Sequence, residues 1–326
     1  MPLRHAEDQR EDRTMKILER DEIVRRLTPA RCIGIMREVL AQLEQGRAVQ
    51  YLRTVTPLPG GGIMGYMPAA LEGMFGAKLI TVFHHNSSRG LPSHQGSVLV
   101  FDEQDGSLMG IMDGQAITEI RTGAASAVAT DLLARPEADT LALLGAGAQA
   151  RSHLLAIREV RTLRQVRVWD RDPLRSEAFA REMGERTGLE ILPCATAREA
   201  AEGADILCTL TSSATPILKR DWVKPGAHIN AVGACQRDAR ELDSALAAQS
   251  EFYCDNVESV LAEGGDFLIP LEEGLFEREH LRGTVGQLLL GQLPGRTGPE
   301  QITIYESLGI AAEDIACAKA LYEMEE

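Results

Sequence analysis

The spacing of apolar positions changes along the chain, and each change predicts a different kind of structure. Residues 15–50 carry apolar side chains at helical intervals and predict helix. Residues 51–113 read instead as strands, and their last part predicts a hairpin, because Asp105-Gly106 supplies a turn between two apolar runs. The N-terminal part is therefore predicted to be mixed α and β, with an antiparallel sheet.

A helix rich in small residues follows, and the pattern beyond it alternates between strand and helix. Pro136 is predicted to end that helix, which runs through AITEIRTGAASAVATDLLAR. From residue 140, helical segments alternate with strand-like runs, among them TLALLG, QVRVWD, ADILCTLT, HINAVGA and EFYCD. Alternation of this kind predicts a parallel, doubly wound sheet of the α/β class. The last stretch, EDIACAKALYEMEE, predicts an amphipathic helix.

A glycine-rich turn joins the first strand and helix of this alternating region. Residues 145–150, GAGAQA, match the pattern GxGxxA. Gly145 permits a tight turn, Gly147 lets the backbone approach a pyrophosphate, and Ala150 lets the helix pack closely on the strand. The helix N-terminus adds unpaired N–H groups for the phosphates. The turn predicts a Rossmann-type dinucleotide site; the alternative is a tight turn in a sheet that binds nothing.

The predicted coenzyme is NAD, and NADP stays open. The second strand ends at Asp170, whose carboxylate can accept hydrogen bonds from ribose hydroxyls and would repel a 2′-phosphate. Arg171 follows directly and could pair with that phosphate. Ligands bind at the carboxyl ends of the strands in such sheets. Further coenzyme contacts are therefore predicted at Ala148 and Gln149 in the turn, and at Thr211, Ser212, Val232 and Gly233 after two later strands.

Composition narrows the class of protein. The 326 residues are 44% hydrophobic, which is enough for more than one core and predicts two domains. A net charge of -14 without a long basic cluster argues against nucleic-acid and anionic-membrane partners. Six scattered cysteines without a CxxC pair are typical of reduced thiols. The densely charged opening is unlike a secretory signal, and no apolar run reaches the roughly 18 residues of a membrane span. We therefore expect a cytoplasmic protein.

Several separated stretches resemble the ornithine cyclodeaminase / mu-crystallin family, from about residue 20 to the end. They include YLRTVTPL, GYMPA, LLGAGAQA, INAVGACQRDARELD and YESLGIAAEDIACAKALYE, and the segment from LPSHQ to RTGAA resembles the ketimine-reducing mu-crystallin branch. The resemblance implies a homodimer built on the antiparallel sheet, with the nicotinamide held between two domains. We divide the chain accordingly into a substrate and dimerisation domain, 1–128 with 307–326, and a coenzyme domain, 129–306.

The resemblance also implies a site for the carboxylate of the substrate. Members of the family hold that carboxylate with three basic residues, and the matching positions are Arg53, Lys78 and Arg121. Each lies within or beside an apolar stretch, where an unpaired charge is costly and tends to have an anionic partner. The alternative is that each reaches water or pairs with an acidic residue. Thr122, next along the chain, would lie near the coenzyme phosphates and near the start of its helix.

Other candidates are weaker. By resemblance, His94 in LPSHQ and Leu308 in ESLG would lie near the substrate, although a structural histidine and a core leucine explain them equally well. His84 and His85 are adjacent on a predicted strand and would point to opposite faces, so no metal site is predicted. The acidic residues of RDARELD are predicted to cap and open a helix.

One departure from the family pattern bears on the reaction. The cyclodeaminases have an aspartate two positions after the glycine of their VGG stretch, where this chain has Cys235. A thiol with its ordinary pKa of about 8.5 is mostly neutral and replaces a carboxylate base poorly. The position can instead hold a small buried residue or a nucleophile, although no histidine is adjacent to activate one.

The predicted reaction is therefore reduction by NAD(P)H of a small cyclic ketimine, such as Δ1-pyrroline-2-carboxylate or Δ1-piperideine-2-carboxylate. This reaction starts from an existing C=N bond and needs no base at the position of Cys235. Lys78 and Cys235 are the catalytic candidates. The alternatives are an ornithine or lysine cyclodeaminase, an alanine dehydrogenase-like enzyme, and a non-catalytic NAD(P)-binding protein.

Overall fold

The computed structural model describes residues 15–324, and its strands form two separate sheets. Most of the charged opening, residues 1–14, lies outside the described residues. The helical prediction for residues 15–50 is only partly correct, because the region starts with a strand and Thr28-Pro29 divides its helix in two. The elements of the first region are β1 (Lys16–Leu18), α1 (Arg20–Arg26), α2 (Pro29–Glu44), β2 (Ala48–Gln50), β3 (Thr54–Pro57), β4 (Ile63–Leu71), β5 (Met74–Val82), β6 (His94–Asp102), β7 (Leu108–Asp113) and α3 (Gly114–Leu133).

The first sheet is largely antiparallel, as predicted. Its strands run in the order β1-β7-β6-β5-β4-β2, and β3 also pairs with β4. The predicted hairpin joins β6 to β7, and Gly106 takes the left-handed conformation (φ +74°) in its turn. The expectation that His84 and His85 lie on a strand is wrong. After β5 the chain closes a turn, in which the Asn86 N–H donates to the Phe83 carbonyl, and continues as a 3₁₀ helix over His84–Arg89.

The second region alternates between strand and helix, as predicted. Its elements are β8 (Thr140–Leu144), α4 (Ala148–Ile157), β9 (Gln165–Trp169), α5 (Pro173–Thr187), β10 (Ile191–Pro193), α6 (Ala197–Ala201), β11 (Ile206–Thr209), β12 (His228–Ala231), α7 (Ser244–Ala248), β13 (Glu251–Cys254), α8 (Val257–Glu263), α9 (Gly265–Glu272), β14 (Leu281–Thr284), α10 (Val285–Leu289), β15 (Thr303–Glu306) and α11 (Ala311–Glu323).

The strands of this second sheet run in the order β10-β9-β8-β11-β12-β15-β13-β14, and all of these neighbours pair in parallel. The predicted doubly wound α/β sheet is therefore confirmed. Sequence analysis missed β15, which lies in the middle of the sheet. All four residues of this strand are buried, so its side chains show no alternation of polar and apolar character.

Two helices connect the regions. α3 is buried along most of its length and approaches α4 closely, since a Cβ on Gly123 would lie 2.7 Å from the Ser152 backbone. α11 returns to the first region and packs against β4, β5 and α2. The division at 128/129 and 306/307 stays a prediction. No helix within residues 15–324 has the length and apolar character that crossing a membrane requires.

Candidate active site

The glycine turn after β8 leaves room above the start of α4. Gly145 has a φ of +117°, and a Cβ there would lie 2.7 Å from the Leu210 carbonyl oxygen. Gly147 is the N-cap of α4 and no side chain caps its N–H groups. A Cβ on Gly147 would meet only the guanidinium of Arg175, at 3.8 Å. These free N–H groups beside an open backbone fit the pyrophosphate of a dinucleotide.

The other predicted residues of the turn lie around this opening. Ala148 is exposed, and Gln149 is half-buried in the first turn of α4. The Gln149 side-chain oxygen is itself buried and has no hydrogen-bond partner among the described residues. A buried acceptor without a donor is unusual in a native protein, and a bound polar group is one way to satisfy it.

Asp170 lies against the same turn. Its Oδ2 accepts a hydrogen bond from the Ala146 N–H (2.9 Å), and its Oδ1 accepts one from the Asp172 N–H (3.0 Å). The Arg175 guanidinium is 3.8 Å from Oδ2, and Arg171 is exposed. A carboxylate has about four lone-pair directions, so Asp170 can still accept hydrogen bonds from a ribose.

The carboxyl ends of β11 and β12 form the next part of this edge. Thr211 and Ser212 follow β11, while Val232 and Gly233 follow the neighbouring β12. Between the two loops lies the carboxylate of Glu241, which is fully buried. The structure thus corrects the expectation that the acids of RDARELD open a helix.

Of those acids, Asp243 alone caps a helix, since it is the N-cap of α7 and accepts from the Leu246 N–H (2.8 Å). The Glu241 carboxylate instead accepts from the Thr211 N–H (2.7 Å), the Thr211 hydroxyl (2.5 Å) and the Gly233 N–H (2.9 Å). Burial raises the pKa of Glu241 to about 7.

The basic residues expected to hold the substrate lie at the first sheet, facing α11. Lys78 projects from β5 and is 4% exposed; its Nζ lies 3.2 and 3.3 Å from the two carboxylate oxygens of Asp314. Arg121 on α3 is 3% exposed and reaches the same Asp314 with Nε (3.2 Å) and Glu313 with Nη1 (2.7 Å). Lys78 and Arg121 are therefore both paired with acidic residues, which was the alternative to a site for the substrate carboxylate.

Arg53 completes the cluster from the segment between β2 and β3. Its Nε forms an ion pair with Glu263 (2.8 Å), and its Nη2 donates to the carbonyls of Leu308 (2.7 Å) and Gly309 (3.1 Å). The side chain of Leu308 packs in the core of the second region, so this residue meets the cluster through its backbone. We call Arg53, Lys78 and Arg121 the cation cluster.

Gly309 is the point at which these groups meet. It has a φ of +73°, and a Cβ there would lie 2.6 Å from Nη1 and 2.8 Å from Nη2 of Arg121. Its carbonyl accepts from Arg53, and its N–H donates to Asp255 Oδ2 (2.7 Å). Arg53 Nη1 and Arg121 Nη2 have no hydrogen-bond partner among the groups that the structure describes. Both arginines thus keep a free donor beside Gly309.

Burial and the charges of the cation cluster change the pKa of Lys78. The pKa of Lys78 is lowered to about 8, chiefly by burial; Asp314 opposes this shift, while the charges of Arg121 and Arg53 contribute to it. Thr122 lies beside the cluster, but the expectation that it is near the start of its helix is wrong, since α3 begins at Gly114. Its hydroxyl donates to the carbonyl of Thr118 (2.6 Å).

The two remaining candidates are Cys235, which follows β12 near Arg53, and His94 at the start of β6. The Cys235 thiol is partly exposed and donates to the Val232 carbonyl (3.4 Å). The pKa of this thiol is raised to about 11, chiefly by burial; the charge of Arg53 opposes this shift and the carboxyls of Asp255 and Glu263 contribute to it, so the thiol is neutral at pH 7. His94 is exposed at the start of β6 and contacts the Ser93 hydroxyl through Nδ1 (2.9 Å).

The chain is similar to known proteins over almost its whole length. A family model described as "Ornithine cyclodeaminase/mu-crystallin family" matches residues 13–326. The chain belongs to this family. Ketimine reductase mu-crystallin of Mus musculus is 41% identical over 281 residues, which cover 85% of this chain and 86% of that protein.

Solved structures agree with this assignment. Thermococcus litoralis Δ1-pyrroline-2-carboxylate reductase, in complex with NADH and L-proline, matches with a TM-score of 0.92 and 37% identity over 95% of this chain and 97% of that one. An archaeal alanine dehydrogenase dimer with bound NAD matches with a TM-score of 0.90 and 29% identity over 95% of each chain.

Sequence analysis of this family member missed the acidic half of the site. Glu313 and Asp314 are fully buried on α11, and Asp255 and Glu263 follow or end elements of the second region. A signal for the first two does exist. The adjacent acids stand in GIAAEDIACAKA, a run otherwise almost free of charge, which indicates that they face the protein interior.

Proposed function

We propose that this member of the family is an NADH-dependent imine reductase that acts on small cyclic imino acids, such as Δ1-pyrroline-2-carboxylate or Δ1-piperideine-2-carboxylate. One observation carries the proposal. Arg53 and Arg121 meet at Gly309, each keeps a nitrogen without a hydrogen-bond partner within residues 15–324, and Lys78 lies beside them. A carboxylate is the natural acceptor for two guanidinium donors and an ammonium group.

The cation cluster performs two tasks in this proposal. The arginines fix the substrate carboxylate and thereby orient the ring. Lys78 carries the proton that the imine nitrogen needs, because a pKa of about 8 leaves its ammonium protonated at pH 7 and able to release a proton. When bound, reduced nicotinamide supplies the hydride for the imine carbon. The C=N bond becomes an amine, and solvent then restores the proton of Lys78.

The coenzyme is proposed to lie across the carboxyl edge of the second sheet. The open turn and the uncapped start of α4 support a pyrophosphate there, and the carboxylate of Asp170 beside it supports NAD rather than NADP. NADP remains the alternative because of Arg171. The proposed contacts are Thr122, Gly145, Gly147, Ala148, Gln149, Asp170, Arg171, Thr211, Ser212, Val232 and Gly233.

The protein is proposed to be a homodimer. The first sheet packs one face on α11, and its other face carries exposed apolar side chains, among them Ile17, Met64, Tyr66 and Phe75. An apolar face of this kind marks an interaction site. The proposed partner is a second copy of the chain, and sedimentation of the purified protein at micromolar concentration tests it.

A second candidate function, ornithine or lysine cyclodeamination, is favoured by one observation. Although Cys235 replaces the family aspartate, the carboxyl of Asp255 lies near enough to raise the pKa of that thiol. Burial raises the pKa of Asp255 itself to about 6, which suits a group that exchanges protons near neutral pH.

The deciding experiment measures the absorbance of reduced nicotinamide after addition of each cyclic imine, with NADH and NADPH in parallel. Stoichiometric oxidation supports the reductase and shows which coenzyme is selected. If neither imine is reduced and L-ornithine or L-lysine releases ammonia with catalytic NAD, the cyclodeaminase is correct. Reduction of pyruvate with ammonia would indicate an alanine dehydrogenase-like enzyme, and NADH binding without turnover a binding protein.

A further inference from the structure

The end of β11 and the loop after β12 are joined by backbone hydrogen bonds from Val232 and Gly233 to the Thr209 carbonyl (3.1 and 3.2 Å), and one buried side chain adds a second link. Both oxygens of the Glu241 carboxylate are engaged: Oε1 accepts two hydrogen bonds from Thr211, and Oε2 accepts one from the Gly233 N–H. Glu241 is 0% exposed. A fully buried carboxylate is costly, so one that is retained and bonded only to loop groups indicates a specific positioning task.

The backbone of Glu241 is itself held by hydrogen bonds to neighbouring residues. Its own N–H donates to Asp266 Oδ1 (2.9 Å), and its carbonyl accepts from the N–H groups of Ile217 (2.7 Å) and Leu218 (3.0 Å). The backbone that carries the carboxylate is thus fixed on both sides. The three hydrogen bonds of the side chain therefore transmit a rigid position to the loops.

The neighbouring glycine indicates how closely the carboxylate is fitted. A Cβ on Gly233 would lie 2.1 Å from the Thr211 carbonyl oxygen and 2.5 Å from Glu241 Oε2. Thr211 also lies beside the dinucleotide turn, since a Cβ on Gly145 would come within 3.2 Å of its methyl group. Glu241 consequently acts on the loops next to the turn without reaching the open surface itself.

We propose that Glu241 is a positioning residue for the coenzyme, which aligns Thr211 and Gly233 at the carboxyl ends of β11 and β12 so that they can contact the dinucleotide. The inference rests on the proposed coenzyme site and deepens it, because Glu241 itself does not touch the ligand. It predicts that coenzyme affinity depends on the acceptor capacity of this carboxylate.

The test is the dissociation constant of NADH, measured by the fluorescence of bound coenzyme at pH 8, for the wild type and Glu241→Gln. Glutamine keeps the shape but replaces one acceptor oxygen with an NH₂ donor, which would face a loop donor. Loss of charged hydrogen bonds is expected to weaken NADH binding about 10-fold to 100-fold. The KM for NADH should rise, while the KM for the imine at saturating coenzyme stays within about twofold.

Asp205→Asn is the matched control. Asp205 is also a buried carboxylate of the second sheet, but it lies before β11, at the opposite edge, and accepts from the N–H groups of Asp139 and Thr140 (both 3.2 Å). This variant is expected to lower the melting temperature as Glu241→Gln does, yet to leave NADH affinity within about twofold. A parallel loss of affinity in both variants would overturn the proposal, because it would reflect stability alone.

A double-mutant cycle tests whether Glu241 affects coenzyme binding through Thr211. Thr211→Val removes the hydroxyl that donates to Glu241, so its effect on NADH binding should shrink when Glu241→Gln is already present. Full additivity would overturn the coupling, and unchanged NADH affinity in Glu241→Gln would overturn the positioning role. Wild-type protein that binds no NADH would overturn the proposed coenzyme site together with this inference, and so distinguishes the two failures.

Discussion

The Asp205 cluster and the cation cluster both contain buried charges, and they differ in which groups they leave unsatisfied. Asp205 accepts four hydrogen bonds or ion pairs: from Arg135 (2.7 Å), from Lys224 (2.6 Å) and from two backbone N–H groups. These partners fill the lone pairs of one carboxylate. Burial raises the pKa of Asp205, but the partners more than offset this effect, and the net pKa is lowered.

The cation cluster is arranged differently. Its three basic side chains also have acidic partners, but Arg53 and Arg121 each keep a donor nitrogen without a partner in the described part of the chain. The free donors lie beside Gly309, where the absence of a Cβ lets the Arg121 guanidinium approach the backbone closely. The Asp205 carboxylate is closed to a ligand because its lone pairs are filled, although the buried Nε of Arg135 has no hydrogen-bond partner among the described residues. The cation cluster is open because unpartnered donors of two arginines lie side by side, and this convergence supports the proposed anion site.

The largest effect is expected when an arginine of the cation cluster is replaced by lysine, and the same replacement in the Asp205 cluster tests whether the two clusters differ in function. Arg121→Lys keeps the charge but loses the planar guanidinium, so kcat/KM for a cyclic imine is expected to fall about 100-fold, the equivalent of two lost charged hydrogen bonds. Steady-state kinetics with thermal melts measure both effects.

Arg135→Lys in the Asp205 cluster is the matched control. It is expected to lower the melting temperature while leaving kcat/KM within about twofold. Equal kinetic losses in the two variants would contradict the distinction between a closed and an open cluster.

The second prediction concerns pH. If Lys78 must be protonated to serve the imine, kcat/KM is expected to fall as the pH rises through about 8, the lowered pKa of its buried ammonium. Lys78→Arg should remove this fall, because a guanidinium stays protonated in that range. Since the titration of the substrate is common to both enzymes, the ratio of their pH profiles isolates Lys78. A constant ratio between pH 6 and about 10 would contradict the role of the lysine.

The variant Asp314→Asn tests the same pH dependence by changing the acidic partner of Lys78. The charge of Asp314 raises the pKa of Lys78 against the stronger effect of burial. Removing that charge is therefore expected to move the fall in kcat/KM to lower pH. A shift to higher pH would show that Asp314 does not support the protonated lysine.

The two clusters also show what could be predicted from the sequence. The glycine turn could be predicted because all of its chemistry lies in residues 145–150, between a strand and a helix of clear periodicity. The cation cluster draws on segments near residues 53, 78, 121, 263 and 309, and no local pattern shows that they meet. Only the family resemblance singled out its three basic residues.

The misses have a common physical cause, which is burial of polar groups. Sequence reasoning assigns acids to solvent or to helix starts, so it placed Glu241 at a helix start and overlooked Glu313 and Asp314. It likewise missed β15, whose polar ends are buried because the strand lies inside the sheet. In each case tertiary packing supplies the partners that make burial possible.

Unlike the carboxylate of Asp205, the carboxylate of Asp170 can still accept hydrogen bonds from a ligand. Asp170→Asn keeps the acceptor for the Ala146 N–H but removes the charge that disfavours a 2′-phosphate. The preference for NADH over NADPH, measured as a ratio of kcat/KM values, is expected to fall about 10-fold. Asp172→Asn is the control, since Asp172 lies in the same loop but caps α5, and it should leave the ratio unchanged. An unaltered ratio in Asp170→Asn would contradict the role of Asp170 in coenzyme choice.

The smallest effect is expected at Cys235. With a pKa raised to about 11 by burial, its thiol is neutral at pH 7 and contributes little beyond its size and its hydrogen bond to the Val232 carbonyl. Cys235→Ser keeps both features, so kcat for imine reduction should stay within about twofold of the wild type. A loss beyond about 10-fold would require the sulfur itself to take part in the reaction. The missing aspartate would then have been replaced by a functional thiol, and the cation cluster alone would no longer account for catalysis.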